Sequence, residues 1–136
     1  MYKSDHFWIE ELLPKEFFLK YRHKGDALWL IFDDRLLMTL DSLRDQFGIM
    51  TINSWLWKGN RQFSGFRPWD SLGSELSQHK FGRAADILFR DHDAENIRKW
   101  IIKNRNYFPY ITGIEKDVSW LHIDVRNYDG LLIFGG

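Results

Sequence analysis

The sequence predicts an α+β fold, with a small, mostly antiparallel sheet flanked by helices. Two amphipathic segments that begin at capping residues predict helices, and short runs rich in β-branched and aromatic residues predict the strands between and after them. The chain has 136 residues, of which 44% are hydrophobic and 17% aromatic, so it can build one core. No repeat, low-complexity stretch or linker divides the chain, and we therefore expect a single domain over residues 1–136.

The helices are predicted from apolar spacing and from capping residues. Ile9–Lys20 mixes apolar and charged residues around a proline, which predicts a short helix or an irregular arm. In Asp34–Phe47 the apolar residues recur at spacings of three and four, and Gly48 follows where a residue of positive φ ends a helix. A second helix is predicted from its capping residue Asp93 to about Asn106.

The strands are predicted from their β-branched and aromatic composition. They are Ile49–Trp57, Gln62–Phe66, Ala84–Phe89, Tyr110–Glu115 and Trp120–Val125. A turn at Lys58–Asn60 separates the first two, and Lys116–Asp117 joins the last two. Arg67–Lys80 is polar and contains proline, glycine and three serines, so it is predicted to be a long loop, which in a compact domain is often functional.

Charge and cysteine content exclude several function classes. Nineteen Lys and Arg balance nineteen Asp and Glu, so the net charge is zero and no basic field favours nucleic-acid binding. The chain has no cysteine, which excludes disulfides, a thiol nucleophile and a Cys-ligated zinc. No apolar run reaches the roughly 18 to 20 residues that span a bilayer, so we expect no membrane insertion. Any metal must therefore be held by His, Asp or Glu.

Three residues, which we call the triad, could hold such a metal: His79, Asp86 and His122. Two neutral imidazoles and one carboxylate suit a catalytic metal, because three protein ligands leave a fourth position open for water. Small residues between His79 and Asp86 would let the chain pass close to the metal. His122 in an apolar strand also fits a hydrogen-bonded core histidine, and His79 with Asp86 fits a structural hydrogen-bonded pair.

Three motifs resemble the M15-type zinc peptidases and cover about residues 64–126. They are Ser64-Gly65-Phe66-Arg67, Ser77-x-His79-x-x-Gly82-x-Ala84-x-Asp86 and Trp120-x-His122-x-Asp124. This group includes D-alanyl-D-alanine carboxypeptidases, phage L-alanyl-D-glutamate endolysins and the distantly similar hedgehog signalling domain. The resemblance implies a hedgehog/DD-peptidase-like fold and a zinc-dependent metallopeptidase that hydrolyses peptide bonds in peptidoglycan stem peptides.

The resemblance also implies roles for single residues. It places Zn²⁺ on the triad, and it matches Arg67 to an arginine that faces the scissile carbonyl and the developing oxyanion. A guanidinium suits that role because it stays positively charged. The other interpretation of Arg67 is a surface arginine paired with Asp70. Ser77 matches a serine near the substrate, and it could equally be a loop hydroxyl bonded to backbone.

The sequence departs from the family at the general base. Many members have an acidic residue three positions before the last His ligand, where this chain has Ser119, and a serine hydroxyl cannot accept a proton as a carboxylate does at neutral pH. The nearby acids are Asp117, placed first because a bulge could bring it to the metal, and then Glu115. Both could instead be solvated turn residues.

Asp124 is the predicted support of a metal ligand. Residues two apart on a strand point to the same face, about 7 Å apart, so Asp124 lies on the same side as His122. It could orient that ligand through a hydrogen bond, or simply pair with Arg126 or Arg83.

Two hypotheses follow from these residues: an active peptidase, or a catalytically degenerate zinc-binding module or phage structural or binding protein. The start of the chain lacks the basic-then-apolar pattern of a secretory signal. We therefore expect a cytoplasmic protein as encoded, which acts on the cell wall if it is a phage or prophage product. The sequence leaves open the oligomeric state and the bond that is cleaved.

Overall fold

A computed structural model describes residues 1–135. Its three α-helices are α1 (Lys15–Tyr21), α2 (Asp34–Phe47) and α3 (Ala94–Lys103). Its five strands are β1 (Met50–Thr51), β2 (Ala84–Phe89), β3 (Gly113–Lys116), β4 (Leu121–Asp124) and β5 (Leu132–Gly135). Short 3₁₀ helices lie at Ile9–Glu11, Arg22–Ile31, Trp55–Trp57, Gln78–Phe81 and Arg105–Tyr107.

The strands form one mixed sheet in the order β1-β2-β4-β3-β5. β1 with β2, β2 with β4 and β4 with β3 pair antiparallel, whereas β3 and β5 pair parallel. The α+β class is therefore confirmed, and the expectation of a mostly antiparallel sheet is corrected to a mixed one. The physical reason is β5, because the chain crosses from β4 to the far edge of the sheet and runs beside β3 in the same direction.

The two long helices form as their caps and periodicity predict. The Asp33 side chain accepts a hydrogen bond from the backbone N–H of Arg35 at the start of α2, and Gly48 follows its end with φ of 85°. Asp93 caps α3, which ends at Lys103, slightly before the predicted end. Both helices bury their apolar faces in one core with the sheet, through residues that include Leu36, Leu37, Leu40, Ile97, Ile101, Ile87, Ile114 and Ile123.

The strand predictions are confirmed near the site and wrong before it. β2 has the predicted bounds and β4 lies within its predicted segment, whereas β3 starts three residues later than predicted and ends one residue later, at Lys116. The strand predicted over Ile49–Trp57 ends at Thr51, and Gln62–Phe66 forms no strand. There the backbone N–H groups are taken up irregularly, by the Asn53 side chain and by the carbonyl of Leu12, instead of by a ladder.

No helix within residues 1–135 combines the length and the apolar character needed to cross a lipid bilayer.

Gly82 controls how the chain enters β2. It ends the 3₁₀ helix Gln78–Phe81 in the left-handed region, with φ of 67°. A Cβ atom at this position would lie 2.0 Å from the carbonyl oxygen of Ile31, and its own carbonyl accepts from the N–H of Asp33. Glycine is required here because both the backbone conformation and the close approach exclude a side chain.

We predict that Gly82→Ala lowers the free energy of unfolding by about 3 kcal/mol or more, because a backbone clash adds to the strain of a positive φ. Gly130→Ala is the matched control: Gly130 has φ of 99°, but a Cβ there meets nothing within 4 Å. The control should lose only about 1 kcal/mol. Urea denaturation of both variants measures the difference, and equal losses would contradict the proposed role of the contact.

Candidate metal site

The fold brings the three triad residues together. Asp86 on β2 and His122 on β4 are directly opposite in the antiparallel register, and His79 comes from the 3₁₀ helix that precedes β2. All three are buried, and one potential ligand atom from each lies within 4.8 Å of the others. Asp86 Oδ1 is 2.8 Å from His122 Nδ1 and 3.3 Å from His79 Nε2. This group can hold a metal ion.

Each imidazole has an inner nitrogen that faces Asp86 and an outer nitrogen that faces away from it. The hydrogen bond of the outer nitrogen determines whether the inner nitrogen can act as a metal ligand. His79 Nδ1 lies 2.8 Å from the carbonyl oxygen of Gly65, which only accepts, so Nδ1 carries a proton. His122 Nε2 lies 2.8 Å from Asp124 Oδ2, to which it donates in the same way. Metal binding requires neutral imidazoles, which have one proton each. When that proton is on the outer nitrogen, the inner nitrogen of each ring offers a lone pair on the side of the Asp86 carboxylate. A cation among these donors satisfies all three, and the residues therefore fit a metal ion.

Asp124 contacts both His122 and Arg126. It is fully buried, and it accepts hydrogen bonds from Arg126 Nε at 2.7 Å and Arg126 Nη2 at 2.6 Å. Burial raises the pKa of Asp124, but the hydrogen bonds from Arg126 and His122 outweigh it and hold the pKa below its usual range. Gly113 makes room, since a Cβ there would lie 2.1 Å from Asp124 Oδ1. Asp124 thus orients His122 and also pairs with Arg126.

The triad shifts the pKa values of its own members. Burial alone lowers the pKa of His122, but its hydrogen bonds to Asp124 and Asp86 outweigh burial and raise the pKa to about 9. Burial raises the pKa of Asp86, whereas its hydrogen bonds to His122 and His79 hold it well below its usual range. Protons and a metal cation therefore compete for the space between the carboxylate and the imidazoles.

The triad lies on a cavity of about 480 Å³, which we call the main cavity. Arg67 also lines it: its Nε donates to the Phe63 carbonyl at 2.7 Å, and its Nη2 lies 3.3 Å from Asp86 Oδ2. Arg67 thus pairs with a triad residue, and the alternative pairing with Asp70 does not form. The remaining lining residues are Ser74, Leu76, Ser77, Gln78, Glu115, Trp120, Arg126 and Phe134.

The two candidate general bases, Glu115 and Asp117, differ in whether they line the main cavity. Glu115 lines the main cavity and is the register partner of His122 across β3 and β4. Asp117 is exposed, sits in a turn with φ of 64° and is not part of the lining. The physical reason is that Asp117 lies in the β3–β4 turn, where it is exposed to solvent. Of the two acids, Glu115 therefore lies at the cavity, whereas Asp117, placed first in the sequence analysis, does not. Ser119 is likewise exposed and outside the lining.

Sequence reasoning missed Phe134. This residue of β5 packs against one triad residue and one arginine. Its ring centroid is 5.5 Å from that of His122 and 4.6 Å from the guanidinium carbon of Arg126. A sequence signal for β5 existed but was not used: the apolar run 131–134 follows the turn residues Asp129 and Gly130. Arg126 carried a weak signal, since it continues the alternate-residue spacing of His122 and Asp124.

Comparisons of this chain with protein-family models, with curated proteins and with solved structures find no match.

We predict that His79→Ala abolishes binding of a divalent metal ion, because two ligands remain of three. Titration with Co²⁺, followed by visible absorption, measures binding. His23→Ala is the control, because His23 is exposed and outside the triad. Undiminished Co²⁺ binding by His79→Ala would contradict the assignment of the metal site to the triad.

We further predict that the metal-free protein loses stability as the pH rises from about 6.5 towards and through 9. The folded state raises the pKa of His122 from 6.5 to about 9, so protonated His122 stabilises the fold fully below the first value and loses this contribution above the second. Thermal unfolding in a chelator across this range tests the sign. His122→Gln should show a shallower decline, and an identical pH profile would contradict the assignment.

Proposed function

We propose that this protein is a zinc-dependent peptidase that hydrolyses peptide bonds in peptidoglycan stem peptides. One observation carries the proposal: the triad, a guanidinium and an acidic residue line the same cavity. These are the parts that metal-assisted amide hydrolysis needs, namely a metal position, a charge stabiliser and a base. The motif resemblance described above supports the peptidase class.

Zinc suits the donor set. Two imidazole nitrogens and one carboxylate oxygen are common ligands of catalytic zinc, and three protein ligands leave a position open. When bound, zinc supplies Lewis acidity and lowers the pKa of water. The chain positions its ligands by hydrogen bonds from outside, through the Gly65 carbonyl and the Asp124 carboxylate, which would hold both imidazoles ready for the ion.

Glu115 is the proposed general base. Its carboxylate takes a proton from the attacking water and then delivers a proton to the leaving amine. Its register position opposite His122 and its place in the cavity lining support this role. Strand β3 therefore supplies the acid that the family pattern places three residues before the last ligand.

Arg67 is the proposed stabiliser of the negative charge that develops on the scissile carbonyl oxygen. Burial lowers the pKa of Arg67, while Asp86 and Glu115 counteract this effect, and an arginine remains charged under such conditions. The hydrogen bond from Nε to the Phe63 carbonyl holds the guanidinium in place. A fixed positive charge in a partly desolvated cavity stabilises an oxyanion more strongly than a mobile one in water.

Polar residues in the cavity lining support a peptide substrate. Gln78 and Ser77 line the main cavity, and an amide or a hydroxyl side chain can bond to the donor and the acceptor that each peptide group supplies. In this proposal the protein acts on the cell wall as a phage or prophage product.

We predict that Glu115→Gln lowers kcat on purified peptidoglycan by about 10²-fold or more, because the amide cannot accept a proton. Zinc content, measured by atomic emission, should stay at that of the wild type. The matched control is Asp117→Asn, which makes the same chemical change two residues away and outside the cavity. The control should keep full release of amino groups. Loss of activity in Asp117→Asn with full activity in Glu115→Gln would reverse the assignment.

A second candidate function is a zinc-binding module without catalysis, and Ser119 is the observation that favours it. In that case the purified protein binds stoichiometric zinc but releases no new amino groups from peptidoglycan. Ser119→Asp, which restores the acidic residue of the family pattern, would then be expected to gain activity. The peptidase proposal expects activity in the unmodified chain.

A further inference from the structure

A second cleft adjoins the main cavity. It has a volume of about 400 Å³ and shares Arg67, Asp86 and Trp120 with the main cavity. The two clefts therefore lie next to each other, with the shared residues between them. The other residues that line the second cleft are Asn60, Arg61, Gln62, Phe63, Ser64 and Leu72.

The loop that follows β1 holds Arg61 in this cleft. Its carbonyl accepts from the N–H groups of Ser54 and Trp55, at 2.9 and 3.2 Å, and its own N–H donates to Ser54 Oγ at 3.1 Å. Gly59 allows the loop to close, because a Cβ at that position would lie 2.2 Å from Ser54 Oγ. The backbone of Arg61 is thus fixed on both sides.

The guanidinium of Arg61 has neutral partners only. Its Nε donates to the carbonyl of Ile52 at 3.1 Å, and its Nη2 donates to the backbone carbonyl of Asp86 at 3.4 Å. Two of its five N–H groups are thereby used. Among residues 1–135, no carboxylate oxygen lies within 4.0 Å of its nitrogens, whereas Arg67 and Arg126 each pair with an acidic side chain.

A half-buried cation without a counter-ion is energetically unfavourable, and a bound anion would offset this cost. Burial lowers the pKa of Arg61, and the nearby Asp86 opposes this effect. The Asp86 carboxylate itself is already engaged by His122, His79 and Arg67. An anion that enters the second cleft would therefore meet a positioned guanidinium with free N–H groups, the arrangement that binds carboxylates most strongly.

We infer that Arg61 binds a carboxylate of the substrate in the second cleft. This inference rests on the proposed function, because it assumes a peptide that lies along the triad. A stem peptide offers two sources of such a carboxylate. One is the C-terminal carboxylate, which indicates cleavage near the chain end, and the other is the free carboxylate of an internal acidic residue, which indicates internal cleavage.

The test uses three synthetic stem peptides and the zinc-loaded protein. The first keeps all carboxylates, the second has an amidated C-terminus and the third has an amidated internal glutamyl carboxylate. Calorimetry measures binding, and amine release measures hydrolysis. We expect one of the two amidations to weaken binding by about tenfold or more. The amidation that does so identifies the source. Equal affinity for all three peptides, or binding of none, overturns the inference.

Substitution of Arg61 provides the second arm. Arg61→Gln should bind the unmodified peptide as weakly as the wild type binds the sensitive amidated one, and amidation should then have no further effect. Arg61→Lys, which keeps the charge and loses the planar fork, should fall between the two. Arg22→Gln is the control, because Arg22 is exposed and outside both clefts. A full amidation effect in Arg61→Gln overturns the inference.

The comparison among peptides in the wild type does not depend on the folding of any variant. Binding with the expected selectivity but without amine release would support the role of Arg61 and reject the peptidase. If all three peptides bind with equal affinity and are hydrolysed at equal rates, the result would support the peptidase and reject the role of Arg61. The two proposals therefore fail separately.

Discussion

The site depends on one carboxylate oxygen, Asp86 Oδ1, which lies between the inner nitrogens of two imidazoles. Both imidazoles already use their outer nitrogens in hydrogen bonds to fixed acceptors. The antiparallel register sets Asp86 opposite His122, and a slip by one residue would turn either side chain to the other face of the sheet. The core packing that fixes this register therefore also fixes the position of the candidate metal site.

The surroundings of the triad explain why such an arrangement can persist in a buried place. Burial of charged groups is unfavourable, and a fold keeps them only when each is paired and hydrogen-bonded. Here the chain of contacts runs from Asp86 through His122 and Asp124 to Arg126, with Phe134 against the last part. In general a buried ion-pair network is no more stabilising than a well-packed apolar core, so stability alone does not account for this arrangement.

Much of the fold was predictable because its signals are local. The caps of α2 and α3, the apolar periodicity of α2 and the β-branched run of β2 each specify their element within a few residues. Non-local features were not predictable. β5 forms because β3 offers a free edge, and the Gln62–Phe66 segment finds irregular partners instead of a ladder. Sequence patterns contain neither fact.

The same distinction applies to the site. The residue types and spacing indicated the triad and Asp124, and the motif resemblance indicated Arg67. The structure brings all of them together. The sequence already placed Glu115 at the end of a strand and Asp117 in the turn after it. It did not specify the cross-strand register that sets Glu115 opposite His122. No sequence pattern indicated Arg61, because its proposed role depends on the absence of an acidic side chain near its guanidinium among residues 1–135.

The most direct measurement of the central claim is anomalous X-ray scattering at the zinc edge from crystals of the zinc-loaded protein. We expect one strong peak between His79 Nε2, Asp86 Oδ1 and His122 Nδ1, about 2.0 to 2.2 Å from each atom. A peak at surface residues alone, with the triad side chains still bonded to one another, would contradict it.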